Sequence, residues 1–239
     1  MNIKDPQAPI YIQIAKDIRA KVNKGLYQEG EQIPTEDEIA QQYGVSRMTA
    51  RNSVTELVRD GIIFRIHGKG AFVSHGKVER NLNKITGFHE DMIAMGLQPS
   101  SKIIKLKKRF PTDKERNGLK IHRLSSVFEV KRIRYVDDIP YGFQKLIVPE
   151  YLVPDLTEVN LEKESLYYHL RKIEKPIHVA EQRMEAVMEP KINQILDIPK
   201  TIPFFFFERT SYLEEKLPVE LLYSYFRGDK FSYTISLKN

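Results

Sequence analysis

The chain contains no cysteine. That excludes disulfides, thiolate zinc sites and cysteine nucleophiles, and it suits a reducing compartment. No stretch approaches the roughly 20 apolar residues of a membrane span, and the opening NIKDPQAP lacks the apolar centre of a signal peptide. A soluble, cytoplasmic protein with no membrane partner is therefore expected. The six histidines fall into no HExxH or other metal spacing, GxSxG is missing, and no glycine-rich nucleotide fingerprint is present. Hence no catalytic residue, no metal and no cofactor is expected. Internal repeats and low-complexity tracts are lacking too. Nor is there much charge of one sign: 38 lysines and arginines against 32 aspartates and glutamates leave a net +6. Such an excess agrees with a polyanionic partner without establishing one. The placement of charge has to carry the reading.

With 239 residues, 41% of them hydrophobic, the chain can bury one large core or two modest ones. Pro9 can open a helix in which Ile10, Ile14, Ile18 and Val22 recur every four residues, closed by Gly25. Thr35 and Glu38 form a capping-box pattern for a second helix, which Gly44 stops after about two turns. Ser46 is a good N-cap for a third, whose buried stripe is Ala50, Val54, Leu57 and Val58 and which ends near Gly61. On that third helix Thr49 and Asn52 point away from the stripe, while Arg47 and Arg51 lie four apart along one flank and can extend outward from it. Two short helices across a tight turn suit a helix-turn-helix, where the second helix reads the major groove. IIFRI and AFVS then read as a hairpin whose tip, HGKG, carries His67 and Lys69. GKG as a nucleotide-binding loop is a weaker reading, because a strand follows it where a helix should open.

Further along, alternating runs at 125–136, 141–148, 177–188, 204–213 and 217–226 predict strands, and helices are expected at 86–95, 164–173 and 190–196. FFFF at 204–207 reads as a strand buried on both faces. Lys105, Lys107, Lys108 and Arg109 read as a lysine-guarded strand edge. In SVFEVKRIRYV, strict alternation puts Phe128, Val130, Arg132, Arg134 and Val136 on one face. Two arginines thus share an apolar face, and buried arginines need anionic partners. Internal carboxylates such as Glu181 or Glu185 could serve, or a ligand could.

The run IPTEDEIAQQYGVSRMTARNSVTELVRDGIIFRIHGKGAFV resembles the winged helix-turn-helix DNA-binding domain of the GntR family of bacterial transcription regulators. The remainder, strongest at ITGFHEDM, at the alternating arginines and at FRGDKF, resembles the UTRA effector domain of the HutC subfamily, which is similar in fold to chorismate lyase. The resemblance implies an α+β chain: residues 1–75 a winged helix-turn-helix, 76–81 a linker and hinge, and 82–239 a mixed α/β domain for effector binding and dimerisation. It implies contacts to double-stranded operator DNA from Ser46, Arg47, Thr49 and Arg51 on the recognition helix, and from His67, Gly68, Lys69 and Gly70 on the wing. Asp37 departs from the pattern, since many relatives carry a basic residue there. For the second domain it implies a small anionic effector, such as a phosphorylated sugar, held by Gly87, Phe88, Arg132, Arg134, Ser165 and Tyr167 and oriented by Glu220. Gln144 and Phe226 depart from sugar-phosphate-binding relatives, which can have glutamate and tyrosine at these positions. The implied function is a homodimeric repressor under metabolite control. The alternative is a metabolite-processing enzyme of chorismate-lyase-like fold fused to a DNA-binding domain, because fold alone does not settle activity.

Overall fold

A computed structural model describes residues 8–66, 68–74 and 76–237, and the chain divides into two units, Met1–Gly76 and Lys77–Asn239. The first unit holds helices α1 (Ile10–Asn23), α2 (Glu36–Tyr43) and α3 (Arg47–Arg59) and the antiparallel hairpin β1 (Ile63–Ile66) and β2 (Gly70–Val73). The expected caps form. Thr35 and Glu38 exchange both bonds of a capping box, Ser46 Oγ accepts from the Thr49 amide at 3.2 Å, and Gly44 ends α2 in the left-handed region at φ 63°. Ile14, Ile18, Ile33, Ile39, Val54 and Leu57 from the three helices and their connection pack with Ile63 and Val73 of the hairpin into one small core. Each helix contributes its every-third-or-fourth apolar stripe, so the opposite face of α3 is left to solvent.

The second unit is built on an antiparallel sheet of six strands. In chain order these are β4 (Pro99–Arg109), β5 (Val127–Val136), β6 (Ile139–Pro149), β7 (Val179–Val187), β8 (Phe204–Tyr212) and β9 (Pro218–Arg227), arranged β4-β5-β6-β9-β8-β7. Helices α4 (Phe88–Ala94) and α6 (Leu166–Lys172) lie on one face with the core of Phe128, Val130, Leu146, Val148 and Leu170. Helices α5 (Asp113–Leu119) and α7 (Pro190–Leu196) pack on the other, through Leu119 on Ile147 and Leu221, and through Ile192 and Leu196 on Phe143 and Phe204. The period of two along each strand thus sends one set of side chains to each helical layer.

Two expectations are corrected. The segment 76–81, expected as a linker, is ordered: Val78–Asn81 form β3, which pairs in parallel with β10 (Phe231–Thr234) and belongs to the second unit. Backbone pairing with β10 satisfies groups that a linker would leave to water. FFFF is not buried on both faces, since Phe204 and Phe207 are buried but Phe205 and Phe206 only half so. β8 lies next to the edge strand β7, whose side chains are mostly exposed, so its burial is incomplete there. Helix α5 went unanticipated although Thr112 and Glu115 spell its capping box. There Glu115 also accepts from Arg109 at 2.7 Å and Lys145 at 3.1 Å, bonds that hold its carboxyl at about 2 despite its burial.

Candidate functional site

The start of α3 is a polar, exposed surface. The hydroxyls of Ser46 and Thr49 lie 2.9 Å apart, and Arg47, Arg51 and Asn52 face solvent, with Thr49 half-buried among them. The first turn also exposes the apolar side chain of Met48, 62% accessible. Arg47 is not unengaged: its Nε sits 3.2 Å from Asp37 Oδ1, so the acidic residue on α2 holds a candidate DNA contact. On the hairpin, Gly68 and Gly70 have φ of 74° and 119°. A Cβ on Gly70 would come within 2.6 Å of Gln32 Nε2, which donates to the Lys69 carbonyl at 3.1 Å. Glycine therefore lets the tip close against Gln32. His67 lies outside the described residues.

In the second unit the sheet face under α4 and α6 encloses a cavity, and all seven expected effector residues line it. Strand β5 delivers Arg132 and Arg134, each 3% exposed, and register places Gln144 of β6 beside Arg132 and Ser224 of β9 beside Gln144. Arg134 donates from Nε to Gln144 Oε1 at 2.7 Å and from Nη1 to Ser101 Oγ at 2.7 Å. Arg132 donates to the same Gln144 oxygen at 3.3 Å and to the Leu161 carbonyl at 3.3 Å. Among the described residues neither touches a carboxylate. Glu181 and Glu185, the suggested internal partners, stand exposed on β7, where Glu181 accepts from Tyr212 at 2.9 Å and Glu185 pairs with Arg183. That suggestion is overturned: the strand carrying those carboxylates is the far edge of the sheet from β5, four places along.

Burial without a counter-ion has an electrostatic signature. Desolvation pushes Arg132 down to about 10, and it pushes Arg134 well below its ordinary value, with the like charge of Arg132 adding to the effect. His89, at the start of α4, is likewise held low by burial and then by Arg134. The site is positive and short of anions.

The remaining residues are already engaged with one another. Tyr167 donates to Glu220 Oε1 at 2.6 Å, Ser211 donates to the same oxygen at 2.7 Å, and Arg209 Nη1 donates to the Tyr167 hydroxyl at 3.1 Å. Ser165 caps α6 by accepting from the Tyr168 amide at 3.0 Å and donates to Glu90 Oε1 at 2.7 Å. Among the described residues Glu90 Oε2 is buried without a hydrogen-bond partner, beside Gly87, where an added Cβ would meet it at 2.0 Å. The carboxylate thus occupies the backbone turn of Gly87 and Phe88. A layered stack completes one wall: Arg134 lies 5.1 Å over the Phe88 ring, Phe88 stacks on Phe226 at 5.7 Å and 8°, and Arg80 covers Phe226 at 5.4 Å. Arg80, from β3, is also bound through Nε to Asp91 of α4 at 2.7 Å. Sequence reasoning missed Arg80, Arg209 and Tyr233. Arg209 follows directly on the FFFFE run, yet the register that turns it inward is set only by pairing with β9. The free volume is about 40 Å³, room for a water or two and well below the ~300 Å³ at the low end of ligand pockets.

Among known proteins, residues 10–73 match the family described as bacterial regulatory proteins, gntR family, and residues 94–232 match the UTRA domain. The HTH-type transcriptional repressor NagR of Bacillus subtilis (strain 168) is 34% identical over 98% of this chain and 97% of its own length. The mannosyl-D-glycerate transport/metabolism system repressor MngR of Escherichia coli (strain K12) is 28% identical over 95% of both. The crystal structure of PhnF from Mycobacterium smegmatis superposes with a TM-score of 0.67 over 92% of this chain and 99% of that one, at 23% identity, a likeness of fold.

Proposed function

Since the chain belongs to the GntR family, in its HutC branch with a UTRA effector domain, and is a transcription regulator by that membership, we propose that it is a homodimeric repressor released or retained on its operator by a phosphorylated sugar. The observation that carries the effector reading is the pair Arg132 and Arg134, buried together with no carboxylate in contact. A phosphate matches the planar forks of both guanidiniums and supplies the missing charge. In this reading Ser165, Tyr167 and the Gly87–Phe88 backbone complete the phosphate site and Glu220 accepts from sugar hydroxyls. Ser165 and the backbone turn must first part from Glu90, and the closed cavity must open. The ligand therefore favours one arrangement of α4 over another, and such differential binding is what any switch requires. The relatives' names support a repressor, and that of MngR, the repressor of a mannosyl-D-glycerate transport/metabolism system, supports a sugar-related role.

For DNA, Arg51, Arg47, Ser46, Thr49 and Asn52 present donors and acceptors for the major groove, with Gly68, Lys69, Gly70 and His67 on the wing. A single α3 covers only a few base pairs, so a two-fold pair reading a near-palindrome is the fitting assembly. The second unit is a binding module in this account, acting in the cytoplasm and turning nothing over. The test is calorimetry with glucose 6-phosphate, further sugar phosphates and each unphosphorylated sugar, alongside operator titration and sedimentation of the full chain. A phosphate-dependent ligand that shifts operator affinity supports the reading; equal affinity for a sugar and its phosphate defeats it.

A further inference from the structure

Arg65 lies on β1 just before the wing tip, and register sets it opposite Ala71 of β2. Its Nη2 donates to acceptors on two helices: Glu36 Oε1 of α2 at 2.9 Å, Thr55 Oγ1 of α3 at 3.2 Å and, more weakly, the carbonyl of Arg51 on α3 at 3.4 Å. Thr55 in turn donates to that same carbonyl at 2.8 Å. One guanidinium therefore ties the hairpin to the turn of α3 that carries Arg51, and Glu36, in the first turn of α2, holds it there.

Stability does not account for the arrangement. The Arg65 and Glu36 side chains are 38% and 25% exposed, and an ion pair so open to water adds little to folding. What the bonds fix is relative position. The hairpin and α3 also share the apolar core, through Ile63 and Val73 with Val54 and Leu57, but apolar burial is non-directional and tolerates small slides. Hydrogen bonds have preferred angles and do not. A surface that meets a duplex through two separate elements needs both at a set spacing.

We propose that Arg65 is a positioning residue for DNA recognition: bridging β1, α2 and α3, it sets the wing and Arg51 in the one relative placement that lets both engage the same duplex. The proposal rests on the reading of α3 as the recognition helix, and it adds what keeps that helix in register with the wing. A plain phosphate contact from Arg65 is the competing account, and the two part at Glu36. Removing that carboxylate frees Arg65 and raises the local positive charge, so a phosphate contact gains from the change, whereas a bridge loses an anchor.

The full-length wild-type protein is used to select a duplex from a random pool, and each variant's affinity for that duplex is compared with its affinity for poly(dI-dC). Glu36→Ala should lower the ratio of the two at least ~5-fold, with poly(dI-dC) bound as tightly as before or more so. Thr55→Val, which alters no charge, should lower the ratio by about 2- to 5-fold. Arg65→Met should lower it as well and leave the salt dependence on poly(dI-dC) unchanged, since a lost phosphate contact reduces that slope by about one. Reselection with Arg65→Met should show weakened preference at the base pair that Arg51→Ala relaxes, a signature that general loosening of the unit does not produce. Glu36→Ala tightening both duplexes alike, or an unchanged ratio in Thr55→Val and Arg65→Met, would overturn the bridge. A reduced salt slope in Arg65→Met with equal loss on both duplexes would overturn it too and make Arg65 a phosphate contact. Failure of the wild-type protein to select any sequence would instead remove the reading of α3 on which the bridge rests. Should one variant not fold, the other two decide the matter.

Discussion

On α3 the Arg47 side chain is 71% exposed and Arg51 also stands in solvent, whereas on β5 Arg132 and Arg134 are each 3% exposed. The same side chain is set to opposite tasks. An exposed guanidinium keeps its hydration until DNA arrives, and its contribution is tuned by neighbours such as Asp37 and screened by salt. A buried guanidinium has lost its hydration on folding, so its electrostatic cost is already carried by the ligand-free protein, and an anion of the kind proposed would relieve it. The first arrangement permits sliding and sampling along a polymer; the second permits discrimination among small molecules.

The sharpest way to break this contrast is Arg134→Met. Ligand affinity should fall at least ~100-fold, while the ligand-free protein should gain about 1–3 kcal/mol, because an apolar chain of similar length replaces a desolvated charge. Calorimetry and thermal unfolding read the two effects, and a variant that loses stability would contradict stored electrostatic strain at this position. Arg51→Ala should do the reverse: about 1–3 kcal/mol less operator affinity, with relaxed preference at one base pair, and stability unchanged within about 0.5 kcal/mol. Lys69→Ala serves as its control, weakening all sequences alike; equal loss on specific and nonspecific DNA in Arg51→Ala would make that residue a phosphate contact only. The smallest effect is expected of Asp37→Ala. Freed from its 3.2 Å ion pair, Arg47 should raise affinity for any duplex by about two- to fivefold at low salt and less at high salt. Operator titrations at two salt concentrations check it, and a loss of affinity would show that Asp37 positions Arg47 instead of restraining it.

Local signals made the first unit legible. Thr35, Gly44 and Ser46 act within four residues of themselves, so their caps form as the spacing says. The face of β5 was legible for the same reason, since Arg132 and Arg134 need only a period of two to be placed together. What surrounds them was not. Gln144 as the shared acceptor depends on the β5-β6 register, Arg209 on the pairing of β8 with β9, and Arg80 on β3 joining a strand from the far end of the chain. Glu90 spelled an ordinary first-turn acid on α4, and only the packing of α6 against it shows Ser165 and Arg171 closing on its carboxylate. Helix α5 is a different kind of omission, for Thr112 and Glu115 were readable and overlooked.

The parallel pairing of β3 with β10 also bears on how the chain is made. Val78–Asn81 leave the ribosome about 150 residues before Phe231–Thr234, an interval of roughly 8–30 s at about 5–20 residues per second. The helices and hairpin of the first unit need no later partner and can fold while the rest is being synthesised. The second unit cannot secure its own first strand until β10 has been synthesised, so each nascent chain passes through a period in which the first unit is complete and the second is not.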